Sequence, residues 1–378
     1  MLSLFSSRRR VYDFARAPNT RVVHTDTYRP FAFDRPDSPQ NVSAYCPHLL
    51  RPGPRHDNRD WRFCTGERAG RMHMHVVRQL DAMFDRGFHH MGATFDRWHI
   101  YLMSHPNSEP ALHLRKVARY AELAQALEPY AGEAQSHFWF GTVQHVLTLY
   151  DVLPARVPIV VAHSPALEPL YAMLDVNRSR LVRFDRSTAY SASVLYSIML
   201  QPWSRDEQGG EPVSPQSVAR LRAHLPLAPP AWSGGSGVVL VSRRDRAARR
   251  CRNHEALLAP LSELAARQGM WFLEFAGSDM STARARDLFK GVALVVAPHG
   301  GALLNLAFMP PGAAVVEIGY HEADATRYRS MRFPPWYFVM AKLFGLRYAL
   351  VMAPGAYDAP IECPVDEVVR CATQILTV

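Results

Sequence analysis

The chain has 378 residues, 48% of them hydrophobic, and carries a formal net charge of +9 from 43 Lys and Arg against 34 Asp and Glu. Domains usually run to about 100–200 residues, so two domains and a shorter irregular segment are expected. No run of 18 uninterrupted apolar residues is present and the five cysteines are too few for a disulfide scaffold, which excludes a helical membrane span and a small cross-linked secreted fold.

The basic balance is mostly arginine and suits an anionic partner such as a nucleotide diphosphate, a nucleic acid or an acidic glycan. Arginine richness also follows from a GC-rich genome, so charge alone decides little. No interleaving of aromatic and basic residues marks a nucleic-acid surface, and no nucleic-acid partner is expected. The first ten residues place Arg8-Arg9-Arg10 after a very short apolar stretch, the reverse of a signal peptide. The triplets at Asn41 and Asn177 have the form of glycosylation acceptors, which arise often by chance. The compartment stays open: an ER or Golgi lumen for a eukaryotic secretory chain, otherwise the cytoplasm or a membrane periphery.

Residues 1–70 are rich in Pro, Arg and Asp with little periodicity and form the lead-in. Residues 71–200 make the N-terminal domain, opening with a small β-meander over 71–102 around the turn signal Asp85-Arg86-Gly87. Leu114, Val117, Ala121, Leu123 and Leu127 recur at helical spacing and predict an amphipathic helix over 112–127. Then come a mostly apolar helix over 137–153, a buried strand at 157–162, a helix at 166–174 with Pro169 in its first turn, a strand at 179–184 and a helix at 192–200. The segment 201–236 is rich in Pro and Gly and is expected to be a linker, with one short helix over 214–224.

From residue 237 to 378 the alternation is cleaner. Strands are predicted at 238–241, 271–275, 292–297, 314–318 and 348–352, with helices at 254–268 (broken at Pro260), 281–289, 302–308, 336–344 and 365–376. Alternating strands and helices imply a doubly wound α/β fold with a parallel sheet covered on both faces. Cys251, Cys363 and Cys371 are expected to be reduced core residues, while Cys46 and Cys64 are candidates for a bridge.

Ligands of open parallel sheets bind at the carboxyl ends of the strands. After the strand at 292–297 comes Pro298-His299-Gly300-Gly301-Ala302. The glycines allow a sharp turn and close approach to a ligand, and the helix that follows aims its free N–H groups and positive end at the same point. This is an anion cradle without a Walker lysine, with His299 as an added donor; the competing reading is a tight turn whose histidine caps backbone groups. Ser242-Arg243-Arg244 and further arginines up to Arg252, then Asn253, follow the first strand of this domain. Guanidinium groups hold diphosphates through paired charge-assisted bonds, although most arginines of such a loop are simply solvated. Arg243 and Arg249 are the exceptions singled out here.

These residues carry a resemblance. Ser242-Arg243, Arg249 four residues before Asn253, His299 to Asn305, Phe308-Met309-Pro310-Pro311-Gly312 and Glu317-Ile318 occur in the order and spacing of glycosyltransferase family 61, over roughly eighty residues. That family includes EGF-domain O-GlcNAc transferases, plant β-1,2-xylosyltransferases and bacterial relatives. Gly301 replaces the usual alanine, and His254 stands where an acid usually follows the Asn. His137-Phe138-Trp139-Phe140 fits the family's His-Trp-Leu-like helix, but Gly141 falls near the acid expected there, and Asp151 lies further down the same predicted helix. His145, two turns after His137, shares its face.

The resemblance implies a GT-B-like pair of Rossmann-like domains facing across a cleft, and an inverting transfer from a nucleotide sugar, most often a UDP-sugar, to a hydroxyl of a glycan or glycoprotein. The donor site is expected to be Arg243, Arg249, Asn253, His299, Gly300, Gly301, Asn305 and Glu317, with Glu317 as a candidate acceptor from ribose hydroxyls. His137 and Asp151 are the candidates for the base. No Asp-x-Asp motif is present, so no metal or other cofactor is expected and the arginines are assigned the diphosphate charge. Two other classes fit the same residues: a nucleotide-sugar-binding relative without catalysis, and a GT-B-like sugar-nucleotide epimerase.

Overall fold

The structure is a computed structural model that describes residues 10–13, 20–28, 72–84, 93–95, 99–102, 116–127, 138, 142–185, 187–201, 215–225, 235–277, 280–321 and 336–377. The chain divides between Pro226 and Leu227 into two units, the described residues up to Leu225 in one and those from Gly235 onward in the other. Cys46 and Cys64, the candidates for a bridge, lie outside the described residues. Among the described residues no helix is long and apolar enough to cross a membrane.

The first unit holds strands β1 (Arg10–Asp13), β2 (Thr20–Tyr28), β3 (Met72–Phe84), β4 (Ala93–Phe95), β5 (His99–Leu102), β6 (Lys116–Ala126), β7 (Ile159–Val161), β8 (Leu181–Arg183) and β9 (Thr188–Gln201), with helices α1 (Val143–Val152), α2 (Glu168–Met173) and α3 (Pro215–His224). One nine-stranded sheet runs in the order β1-β5-β4-β3-β9-β6-β7-β8, with β2 also on β3. β3 pairs antiparallel with β2, β4 and β9, whereas β9, β6, β7 and β8 are mutually parallel. The unit is therefore one mixed sheet, half antiparallel, in which the strands of the expected β-meander region and those of the expected strand–helix alternation join.

Two predicted helices are strands. Residues 116–126 form β6, where exposure alternates along the first half and the last four residues are buried between β9 and β7. Residues 192–200 lie within β9, a 14-residue strand with a partner on each side. Short apolar runs fit either period, and sheet neighbours decided both. The predicted 137–153 helix is described from Val143, and its C-terminus is capped from a distance. The buried guanidinium of Arg180 donates to the carbonyls of Tyr150 (2.7 Å), Val157 (2.7 Å), Leu153 (2.9 Å) and Pro154 (3.0 Å). A cation at a helix C-terminus meets both the unsatisfied carbonyls and the negative end of the dipole.

On α1, His145 is deep enough for burial to push its pKa down to about 4. An unfolded histidine protonates near pH ~6.5. Between these values the unfolded state binds the extra proton, so stability falls as pH drops. We expect acidification from pH 7 to pH 5 to cost about 2 kcal/mol through this residue. Urea unfolding of the wild type and of His145→Gln at both pH values checks it: the variant should lose that much less, and an identical pH response in both would disprove the role.

The second unit is a five-stranded all-parallel sheet in the order β11-β10-β12-β13-β14. Its strands are β10 (Gly237–Ser242), β11 (Trp271–Ala276), β12 (Val292–Pro298), β13 (Ala314–His321) and β14 (Arg347–Pro354). Its helices are α4 (Glu255–Arg267), α5 (Thr282–Phe289), α6 (Trp336–Leu343) and α7 (Val365–Thr377), plus a 3-10 helix at Gly301–Phe308. Every strand and helix predicted here is present within a few residues, the one at 302–308 as 3-10. α4 continues through Pro260, against the expected break. β10 is buried throughout and β12 nearly so, as a parallel sheet covered on both faces requires. In strand number this is the order 2-1-3-4-5, which reverses direction between β10 and β12. At that reversal the loops leaving two neighbouring strands turn to opposite faces and open a crevice.

Candidate anion site at the sheet's switch point

The carboxyl ends of β10 and β12 bring together what the sequence separates by more than fifty residues. Arg243 leaves the end of β10 and its Nε donates to the carbonyl of Ala248 at 3.1 Å. His299 and Gly300 leave the end of β12. A Cβ placed on Gly300 would lie 2.0 Å from Nη1 of Arg243, so the guanidinium rests directly on the glycine backbone. This is the close approach the glycine was expected to allow, with an arginine as the first group to use it.

Arg249 reaches the same place. It adopts φ 57°, a left-handed conformation unusual for a residue with a side chain. Its N–H donates to the carbonyl of Ala359 at 2.7 Å, and its guanidinium lies 4.3 Å from the ring centre of Tyr357. Burial lowers the Arg243 pKa, and the neighbouring charge of Arg249 adds to that shift. Among the described residues neither arginine forms an ion pair with a carboxylate. Their neighbour Arg244 differs: it pairs with Glu274 and Glu255, each at 2.9 Å, and is neutralised in place.

His299 is oriented from behind. Its Nδ1 donates to Glu317 Oε1 at 2.5 Å, and the hydroxyl of Tyr348 donates to the other oxygen at 2.5 Å. Glu317 is 0% exposed. A carboxylate has no proton to give, so Nδ1 carries the hydrogen and Nε2 is the nitrogen through which the ring can meet a ligand. The ring packs edge-on against Tyr337 and Tyr320, with centres 5.2 and 5.9 Å away. Tyr337 is buried, and burial raises its pKa, helped by the charge of Glu317. Its hydroxyl stays protonated throughout the physiological range.

Other expected donor-site residues are placed differently. Both polar atoms of the Asn253 side chain bond the backbone of Cys363, at 2.8 and 2.9 Å, so this residue ties two loops together. Asn305 donates to the carbonyl of Ala302 at 2.9 Å within its own helix. Gly301 opens the 3-10 helix and has open space where a Cβ would stand. Glu317 is fully buried and directs one oxygen at His299 and the other at Tyr348. Cys251 and Cys363 are not reduced: they form a disulfide, and only Cys371 of the three is a free buried thiol. A separation of 112 residues hid this pair, and a parallel bridge between Cys251 and Ile361 brings the two Cα atoms to 5.7 Å. Tyr337, Tyr348 and Tyr357 went unrecognised in the sequence. Tyr348 sits at a predicted strand, but nothing in the local pattern marks Tyr337 or Tyr357.

In the first unit, His137 lies outside the described residues. Asp151 accepts from His224 Nε2 at 2.8 Å and lies 3.7 Å from the guanidinium of Arg220, which also grips Asp26. Its carboxylate is held in an ion network joining α1 to α3.

The chain matches the family Glycosyltransferase 61 over residues 62–316, about two thirds of its length. Comparison with curated proteins gave no match. Among solved structures it is similar to a diflavin flavoprotein A3 from Nostoc sp., at 13% identity over 39% of this chain and 96% of that one. The TM-score of that superposition is 0.26, too low to carry an argument. The match spans Arg243, Arg249, His299 and Gly300 alike, and the chain belongs to glycosyltransferase family 61.

Proposed function

We propose that the protein is an inverting, metal-independent glycosyltransferase of GT-B type that takes its sugar from a UDP-sugar. In this reading the second unit binds the donor. Arg243 and Arg249 hold the two phosphates, His299 donates from Nε2 to the departing diphosphate when its ring carries the second proton, and the first N–H groups of the 3-10 helix add dipolar support. The observation that carries the reading is the Arg243 guanidinium against the Gly300 backbone at the sheet's reversal point, with Arg249 near enough for its charge to act on it, and neither with a carboxylate partner among the described residues. Unpaired positive charge at a strand-end crevice is what a departing diphosphate requires, and it performs the task that a metal held by an Asp-x-Asp motif performs elsewhere. Glu317 and Tyr348 are assigned to hold the His299 ring, and Asn253 to hold the arginine loop.

A sugar hydroxyl has too high a pKa to attack unaided, so a base must take its proton. We assign it to the first unit, which takes the glycan or glycoprotein acceptor. Of the two candidates, Asp151 is already engaged by His224 and Arg220. His137 is the proposed base.

The experiment is a thermal-shift screen of nucleoside diphosphates and nucleotide sugars in the presence of EDTA. A ligand at a hundred times its Kd stabilises the folded state by about 2.7 kcal/mol, a rise of roughly 5–10 °C in Tm. We expect UDP and at least one UDP-sugar to give such a rise, and turnover with that donor to survive chelation. Loss of both on EDTA treatment, with recovery on adding manganese, would show that a metal carries the charge instead. UDP binding with no transfer or hydrolysis of any donor would point to a non-catalytic relative, and release of an epimerised free sugar to an epimerase.

A further inference from the structure

Arg249 is placed by a segment far from it in the chain. Both of its partners, the carbonyl of Ala359 and the ring of Tyr357, lie in the stretch that follows β14. That stretch is fastened to the arginine loop at several points. The N–H of Ile361 donates to the carbonyl of Arg250 at 2.9 Å, and the N–H of Arg252 donates to the carbonyl of Ile361 at 3.0 Å. Asn253 bonds both backbone groups of Cys363, and the Cys251–Cys363 disulfide closes the connection covalently. Tyr357 continues the contact inward: its ring is 6.0 Å from that of Tyr320, which meets His299. The Nε of Arg249 is buried with no hydrogen-bond partner among the described residues.

We propose that Tyr357 is a positioning residue for the anion site and that the Cys251–Cys363 disulfide keeps it against Arg249. The proposal rests on the reading of Arg249 as a diphosphate ligand. The chemistry explains why a ring stands there. A carboxylate would hold the guanidinium but cancel its charge. The face of a tyrosine attracts the cation through its quadrupole and leaves the charge and the edge N–H groups for a ligand. A ring can do this only if its backbone stays put, and the stretch carrying Tyr357 has no helix or strand of its own from 355 to 360. The cross-link and the Asn253 clamp supply that rigidity. Reduction of the disulfide removes the covalent part, and the anion site then loses part of its order while both units keep their cores.

The test uses the full chain, calorimetric titration with UDP and with inorganic pyrophosphate, and a thermal unfolding curve for each protein. Tyr357→Phe keeps the ring face and should bind both probes within about twofold of wild type. Tyr357→Leu should weaken both by about five- to thirtyfold, the worth of a partly desolvated cation–π contact. In an Arg249→Ala background the same Leu substitution should change nothing further, which a general loosening of the fold would not reproduce. Dithiothreitol should weaken UDP binding by the wild type and leave the Tyr357→Leu protein little changed. Wild-type affinity in Tyr357→Leu, or an undiminished loss in the Arg249→Ala background, overturns the proposal while the diphosphate reading stands. A wild type that binds neither probe overturns that reading and the proposal together.

Discussion

Arg249→Ala will weaken UDP binding by about 1.5–3 kcal/mol, roughly 10- to 150-fold, with the fold intact. The size follows from the site: the guanidinium has no carboxylate to lose among the described residues, so the whole effect falls on the ligand. Arg243→Ala should act alike. The double variant should lose less than the sum, because both groups address one diphosphate and repel each other in the free protein. Gly300→Ala tests the geometry without touching a charge. Its methyl would stand 2.0 Å from Nη1 of Arg243, so the guanidinium has to move. Arg244→Ala is the control, since that arginine is already paired with Glu274 and Glu255. Titration calorimetry with UDP decides it: equal affinity in wild type and Arg249→Ala, with matching circular dichroism, removes Arg249 from the donor site.

Glu317→Ala should destabilise the second unit by about 3–5 kcal/mol, the usual result of removing one member of a buried charged network. The carboxylate is fully buried and receives hydrogens from His299 and from Tyr348. Alanine would leave both donors buried and unsatisfied beside a new cavity. Glu317→Gln keeps the shape and one strong acceptor, so its urea midpoint should lie near wild type. Removing the negative charge behind the imidazole should then appear in turnover, as a lower kcat with little change in UDP affinity. A Glu317→Ala protein as stable as wild type in urea would mean that His299 and Tyr348 find other partners and that the network does not hold the site.

The C-terminal unit was readable strand by strand because most of its strands are buried runs rich in Val, Leu and Ala, and its helices are long enough to show their period. Most of the first unit resisted for the converse reason. Residues 116–126 mix Ala, Glu, Leu and Gln, good helix formers, yet they bond to β9 and β7 on either side. Propensity is a weak bias of a few tenths of a kcal/mol per residue, and two flanking ladders outweigh it. β9 was missed in the same way, by neighbours that lie up to 128 residues away in the chain, at β3.

By itself the sequence determined the parallel α/β character of the second unit, the strand–turn–helix at His299 and Gly300, and the arginine loop that follows β10, because each depends on residues adjacent in the chain. It also carried the family, whose motifs are short and keep their order. Only the tertiary structure decided which arginines stay unpaired, that Glu317 serves His299 and Tyr348, that Asn253 serves Cys363, and that Cys251 meets Cys363 across 112 residues. Charge, hydrogen-bond satisfaction and cross-linking depend on distances in space. Those distances are set by sheet order, and no local pattern of residue types records it.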